Sequence, residues 1–187
     1  DMGGIQAANS YTKINLSLFG LFPRQYVPTI PPELVLVPGV VLYEMSSWTR
    51  TIVVPLSIVQ ALGGTRPVPP GLTLDDLSVP GKSFHLPRRD RYSLLFQQLD
   101  RGLKLWERRG PETLRREAIR RAEKWLIDHT RYSDGLGAIY PSMMYLIMAL
   151  DCLGYPPDHP DRIKAIAQFD NLLTETETEF FFQPCFS

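Results

Sequence analysis

Proline placement constrains this chain more than any other feature. Seventeen prolines, against an average of roughly 5% of residues, cluster in two stretches and punctuate the rest. Proline in a helix interior lacks the N–H donor and clashes with the preceding turn. Residues 23–42, "PRQYVPTIPPELVLVPGVVL", therefore cannot form one regular helix, although Pro31-Pro32-Glu33 can start a short one. Residues 63–89, rich in proline and glycine, read as a long loop, and loops of that length are usually functional or mobile.

The segments between them carry helical periodicity. Residues 7–19 place Ala8, Tyr11, Ile14, Leu18 and Phe19 at helical spacing, with Gly20 as the stop. Ser46 or Ser47 caps "WTRTIVVPLSIVQAL", which Gly63-Gly64 closes and Pro55 should bend. Residues 90–109 form an amphipathic helix capped by Asp90. Residues 111–130 form another, with Pro111 and Glu112 in its first turn and Leu114, Ala118, Ala122, Trp125 and Leu126 on its inner stripe. A further helix spans about 142–153 and ends at Gly154. Asp158, Pro160 and Asp161 open the last one, "RIKAIAQFDNLL". No segment alternates at period two. The expected class is all-α, built of antiparallel helical hairpins with long irregular loops.

The stretch "SDGLGAIYPSMMYLIMALDCLGYPPDHP", residues 133–160, raises the question of a membrane span. Its apolar run, 138–153, holds Pro141 near its start and Asp151 near its end, and it is shorter than the ~20 residues a span requires. It reads as a core helix.

Several chemistries find no support. Acidic and basic residues balance, which gives nucleic acid no reason to be the partner. Cys152 and Cys185 are far apart without ligand spacing, and are expected to be reduced, buried thiols. His85, His129 and His159 stand apart from other ligands, so no metal site is readable. Asp75-Asp76 reads as a helix start or turn. Gly63-Gly64 and Gly135/Gly137 lack the strand–turn–helix context and lysine of a phosphate cradle. No Ser/His/Asp set follows from spacing. The start lacks the pattern of a signal peptide, and both ends suggest an incomplete chain.

Charge is unevenly placed. Residues 88–131 carry thirteen Arg/Lys against seven Asp/Glu. Two readings stand side by side. One is a solvated helix face. The other is a helix lying in a membrane interface, because Tyr92, Leu94, Leu95, Phe96, Leu99, Leu103 and Trp106 cover more circumference than one core stripe needs. Arg88, Arg89 and Arg91 would then suit anionic headgroups. Trp48, Tyr140, Pro141 and Tyr145 sit at turns and helix starts, where such residues are ordinarily core.

Three blocks, "GGIQAANSYTKINLSLFG", "YEMSSWTRTIVVPLSIV" and the 133–160 stretch, resemble the squalene–hopene cyclases in order and spacing, as does the final "QPCFS". The resemblance covers essentially the whole chain and points to an internal section of the N-terminal half. It implies two α/α barrels, of which residues 1–187 would form most of the smaller, inserted one. It implies cationic cyclisation of squalene to hopene or hopanol without cofactor or metal. It also implies attachment to the cytoplasmic side of a membrane, peripheral or monotopic, and favours the interfacial reading of residues 90–109, through Tyr92, Leu95, Phe96 and Leu99.

The same resemblance assigns residues. Trp48 corresponds to a pocket tryptophan, Met45 and Val53 to the substrate channel, and Ile139, Tyr140 and Pro141 to the loop at the far end of the substrate. Tyr145 matches a tyrosine near that loop. The family's protonating Asp-x-Asp-Asp motif is absent, and Asp75-Asp76 does not replace it, so no catalytic residue is assigned and the chain alone is expected to be inactive. His129 stands near the usual glutamine of the family's repeat, and Leu136 where a tryptophan is expected. The implied partners are squalene, the membrane surface and the rest of a cyclase chain, with a homodimer of the full enzyme left open. The competing readings are a non-catalytic helical-hairpin module that binds a protein or lipid, and a piece of an oxidosqualene cyclase.

Overall fold

The computed structural model describes residues 4–37, 42–81, 84 and 91–185, the side chains of 91–93 excepted. Among these are six α-helices and one small sheet. The chain divides into two compact units, Asp1–Thr29 with Thr65–Arg108, and Ile30–Gly64 with Arg109–Ser187.

The first unit is built on α1 (Ser10–Leu18) and α3 (Arg91–Arg109); α2 (Ser47–Ala61) lies between them in sequence and belongs to the second unit. Asn9 caps α1 by accepting from the Thr12 amide at 2.8 Å, a bond that relieves one of the orphan donors of a first turn. Ile14, Leu18, Phe22 and Val27 make its core. Lys13 is buried among them. Its ammonium donates to the Gln6 carbonyl at 2.9 Å and lies 5.8 Å from the centre of the Phe22 ring, and burial holds its pKa below the usual lysine range. The Gln6 amide side chain reaches Ser78 and Val79 and pins the long loop, within which Asp75–Leu77 form an exposed 3-10 turn. Asp75-Asp76 is thus a turn-opening pair. The expected cap Asp90 and the basic pair Arg88 and Arg89 lie outside the described residues, as does His85.

The second unit packs α2 (Ser47–Ala61), α4 (Glu112–Arg131), α5 (Tyr140–Cys152) and α6 (Pro160–Asp170). Ser46 is the α2 cap, accepting from the Thr49 amide at 3.2 Å. Pro55 lies buried inside that helix. α2 packs on both α4 and α5, and α5 on α6. The core holds Val54, Ile58 and Val59 of α2, Ala118, Ala122 and Leu126 of α4, and Met143, Leu146, Ala149 and Leu150 of α5. The two alanines carry no bulk, so α4 can approach its neighbours closely. Leu114, expected on the same stripe, is 39% exposed. The stripe instead continues in the other direction to buried Thr130, four residues beyond Leu126.

Polar ties close the unit. Arg115 pairs with Glu33 of the 3-10 turn Pro32–Leu36 at 3.3 Å, and Arg162 with Asp151 at 3.0 Å. Lys164 of α6 donates to the Thr130 and Arg131 carbonyls at the end of α4, where free carbonyls and the helix dipole favour a cation. Tyr155 donates to Glu123 at 2.7 Å.

α6 starts at Pro160 as expected, and its cap is His159, whose Nδ1 accepts from the Asp161 amide. Two expectations need correction. The thiols are free, but Cys185 is exposed and Cys152 only half-buried. The chain is not purely helical: β1 (Leu173–Glu175) and β2 (Phe180–Phe182) pair antiparallel, with Leu173 opposite Phe182. Three-residue strands are too short for an alternation signal. Their turn is held by the Thr176 hydroxyl accepting from the Glu179 amide at 2.9 Å.

The apolar run 138–153 yields the thirteen-residue α5, roughly 20 Å long at 1.5 Å per residue. Among the described residues no helix is long and apolar enough to cross a membrane.

Candidate functional site

The segment Gly135–Pro141, which opens α5, is held by contacts on several sides. Its 3-10 turn, Leu136–Ala138, lies against α2, α4 and α5. Gly135 and Gly137 have φ of +91° and +76°, a region that favours glycine. Close neighbours add to this. A Cβ on Gly135 would stand 2.5 Å from the Met143 methyl, and one on Gly137 would stand 2.8 Å from Thr51 Oγ1. Leu136 plugs into the core at 1% exposure, which is why an aliphatic side chain serves there. The buried Ser142 hydroxyl faces the Leu136 and Ile139 carbonyls and gathers the turn onto the helix.

The helix start has no side-chain cap at Ile139. The first turn leaves backbone donors without helical partners. Here the Tyr140 N–H donates to the Pro184 carbonyl at 2.9 Å, and Pro141, having no N–H, adds no orphan. Ile139 pairs with Cys185 in an isolated antiparallel bridge. The Tyr140 ring lies 5.4 Å from the Phe169 ring and 5.7 Å from the Phe182 ring, and those two are 5.3 Å apart.

The other sequence-derived positions are distributed around this loop. Tyr145 is fully buried within α5. Thr51 donates to the Trp48 carbonyl at 2.8 Å while its side chain stands against Gly137, so the first turn of α2 and the loop meet through one threonine. The Trp48 side chain is 64% exposed. Met45 and Val53 are half-buried on the same stretch. Arg50 donates to the Met45 carbonyl at 3.0 Å and lies over the Tyr43 ring. Thr51, Phe169, Phe182 and Pro184 are the residues that sequence reasoning missed. Only the aromatic run ahead of "QPCFS" hinted at one of them, Phe182. Among the described residues no group of three His, Cys, Asp or Glu could hold a metal ion.

A second surface lies on α3. Its carboxylates face its own unit: Asp100 accepts from the Thr29 amide at 2.9 Å and pairs with Lys104, while Glu107 meets Arg24 at 3.3 Å. Its apolar stripe is turned outward. Leu95, Phe96 and Leu99 are 65%, 66% and 56% exposed, an inversion of the usual amphipathic arrangement. Phe96, Leu99 and Leu103 border an open groove of about 460 Å³ with Ser10, Tyr26 and Pro28. The Tyr92 side chain lies outside the described residues.

Residues 1–178 match the squalene-hopene cyclase N-terminal domain, and the chain belongs to the squalene–hopene cyclase family. It is 34% identical to the squalene–hopene cyclase of Zymomonas mobilis, over 99% of this chain and 30% of that protein. It is 31% identical to that of Alicyclobacillus acidocaldarius, over 87% of this chain and 26% of that protein. A dammaradiene synthase of Dryopteris crassirhizoma is 32% identical over 96% of this chain and 27% of its own length. The chain thus spans about 30% of the length of the curated relatives it matches.

Proposed function

We propose that this chain is part of a triterpene cyclase that converts squalene to hopene or hopanol through carbocations. The observation that carries this reading is the family match over residues 1–178. In such an enzyme residues 1–187 contribute most of the smaller α/α barrel. Ile139, Tyr140 and Pro141 face the end of the substrate where the last cation is quenched, Trp48 faces the pocket mouth, Met45 and Val53 line the channel, and Tyr145 supports the loop from behind.

The chemistry suits such walls. A polyene must be folded before protonation, so the wall has to be fixed in advance. Water and strong nucleophiles have to be kept away from the cations. Aromatic faces stabilise desolvated positive charge by ~2 kcal/mol or more. The glycine contacts with Thr51 and Met143 and the amide bond to Pro184 support a fixed wall. The protonating acid is not among these residues, and the chain alone forms no hopene from squalene. The outward stripe of α3 supports a membrane contact from which an apolar substrate is drawn.

The dammaradiene synthase is named for a different product at similar identity, so a related triterpene is the second reading. One experiment addresses both. Ile139→Ala and Pro141→Ala are made in the full-length cyclase carrying this segment, and the products from squalene are resolved by gas chromatography. A shifted product ratio is expected. An unchanged ratio removes the loop from the pocket wall.

A further inference from the structure

We propose that Phe169 and Phe182 are positioning residues that set where the Ile139–Pro141 loop stands and thereby which product the cyclase releases. This rests on the reading that the loop faces substrate. Neither phenylalanine is needed to touch it.

The argument begins with the backbone. Leu172 is fully buried and ends the run from α6. Its carbonyl accepts from the Gln183 amide at 2.8 Å, so the strand from Phe180 is tied to a fixed point. One residue further on, the Pro184 carbonyl takes the Tyr140 N–H, and Cys185 pairs with Ile139. Residues 182–185 therefore run as a strap between β1 on one side and the loop on the other. The loop's position is read off the strap because the first amide of α5 has no helical acceptor and no side-chain cap.

Side chains fix the same relationship. The Tyr140, Phe169 and Phe182 centroids form a triangle of 5.3 to 5.7 Å sides, with interplanar angles of 41°, 77° and 43°. Those spacings lie within the range of productive ring pairs, and tilted or edge contacts are the preferred ones. Phe169 comes from α6 and Phe182 from β2, so two elements outside the loop hold one of its rings. Sub-ångström placement matters for a reaction in which the substrate is held only by shape, since small misplacements change which near-attack geometry is populated.

The test has two readouts. On this chain, Phe182→Leu and Phe169→Leu should speed hydrogen exchange at the Tyr140 amide by about tenfold or more, while exchange within the α2 core is unchanged. In the full-length cyclase carrying this segment, both variants should change the ratio of products from squalene by about threefold or more, with a smaller change in total conversion. Phe169→Tyr, which keeps the ring, should restore the parent ratio. Phe182 is 41% exposed, so its replacement tests the idea even where Phe169→Leu fails to fold. Ile139→Ala is the comparison. If it shifts the ratio while Phe169→Leu and Phe182→Leu lower only the total conversion, positioning by the strap is overturned and the pocket-wall reading survives. If none of the three shifts the ratio, both fall.

Discussion

Gly137 and Thr51 meet where the loop opening α5 crosses α2, with only 2.8 Å between the threonine Oγ1 and the place a Cβ on Gly137 would take. That one contact joins the turn carrying Trp48 to the turn carrying Tyr140. Gly137→Ala should therefore cost about 2–4 kcal/mol, from a left-handed φ and a steric overlap together. Thr51→Ala should return part of that loss. Urea unfolding of the two single variants and the double variant forms the cycle. Strict additivity would mean that the contact does not hold the loop.

The stripe of α4 gives a contrast between two leucines. Leu126 is fully buried and Leu114 is 39% exposed. Leu126→Ala should destabilise the chain by about 2–5 kcal/mol, whereas Leu114→Ala should stay within about 0.5 kcal/mol of the parent. Equal losses in denaturant midpoint would place both residues in the core.

Tyr155 makes alkaline stability measurable. Burial first, and its hydrogen bond to Glu123 second, push the phenol up to about 12 from an ordinary 10.0. The folded state thus holds its proton where the unfolded chain releases it. The contribution is complete below pH 10 and is lost as pH rises through about 12. Tyr155→Phe should be less stable than the parent at pH 8 by about 1 kcal/mol, and the gap should narrow at pH 11. A gap that stays constant between those two pH values would exclude the linkage.

The outward stripe of α3 predicts a lipid phenotype. The chain should co-sediment with anionic vesicles, and replacing Leu95, Phe96 and Leu99 together by serine should weaken this by about tenfold or more, since each apolar side chain contributes of order 1.5–3 kcal/mol when buried. High salt should weaken it further if the neighbouring arginines meet headgroups. Undiminished sedimentation of the triple variant would assign the stripe to another partner.

Legibility from sequence followed the range of the interactions. Periodicity found every long helix, and α5 differs from its expected start by two residues because the Tyr140 N–H is satisfied from Pro184, 44 positions away. The start of α6 at Pro160 was legible, but its His159 cap was not, since an imidazole that accepts a backbone bond leaves no compositional trace. β1 and β2 were invisible. Their three-residue length carries no period, and their register depends on Leu172 and Ile139, which are remote in the chain.

Local chemistry alone determined the helical class, the breaks at proline, the non-spanning character of the 138–153 run and the positions worth watching. These depend on φ limits, side-chain spacing and segment length, all of which a linear string contains. Tertiary structure decided that α3 binds its own unit through Asp100 and Glu107 and leaves Leu95, Phe96 and Leu99 outside. It also decided that Tyr140 stands in a cage built by Phe169 and Phe182. The physical reason is shared: an amphipathic helix or an aromatic ring specifies what it can pack against, while which partner occupies that face is set by segments brought together only on folding.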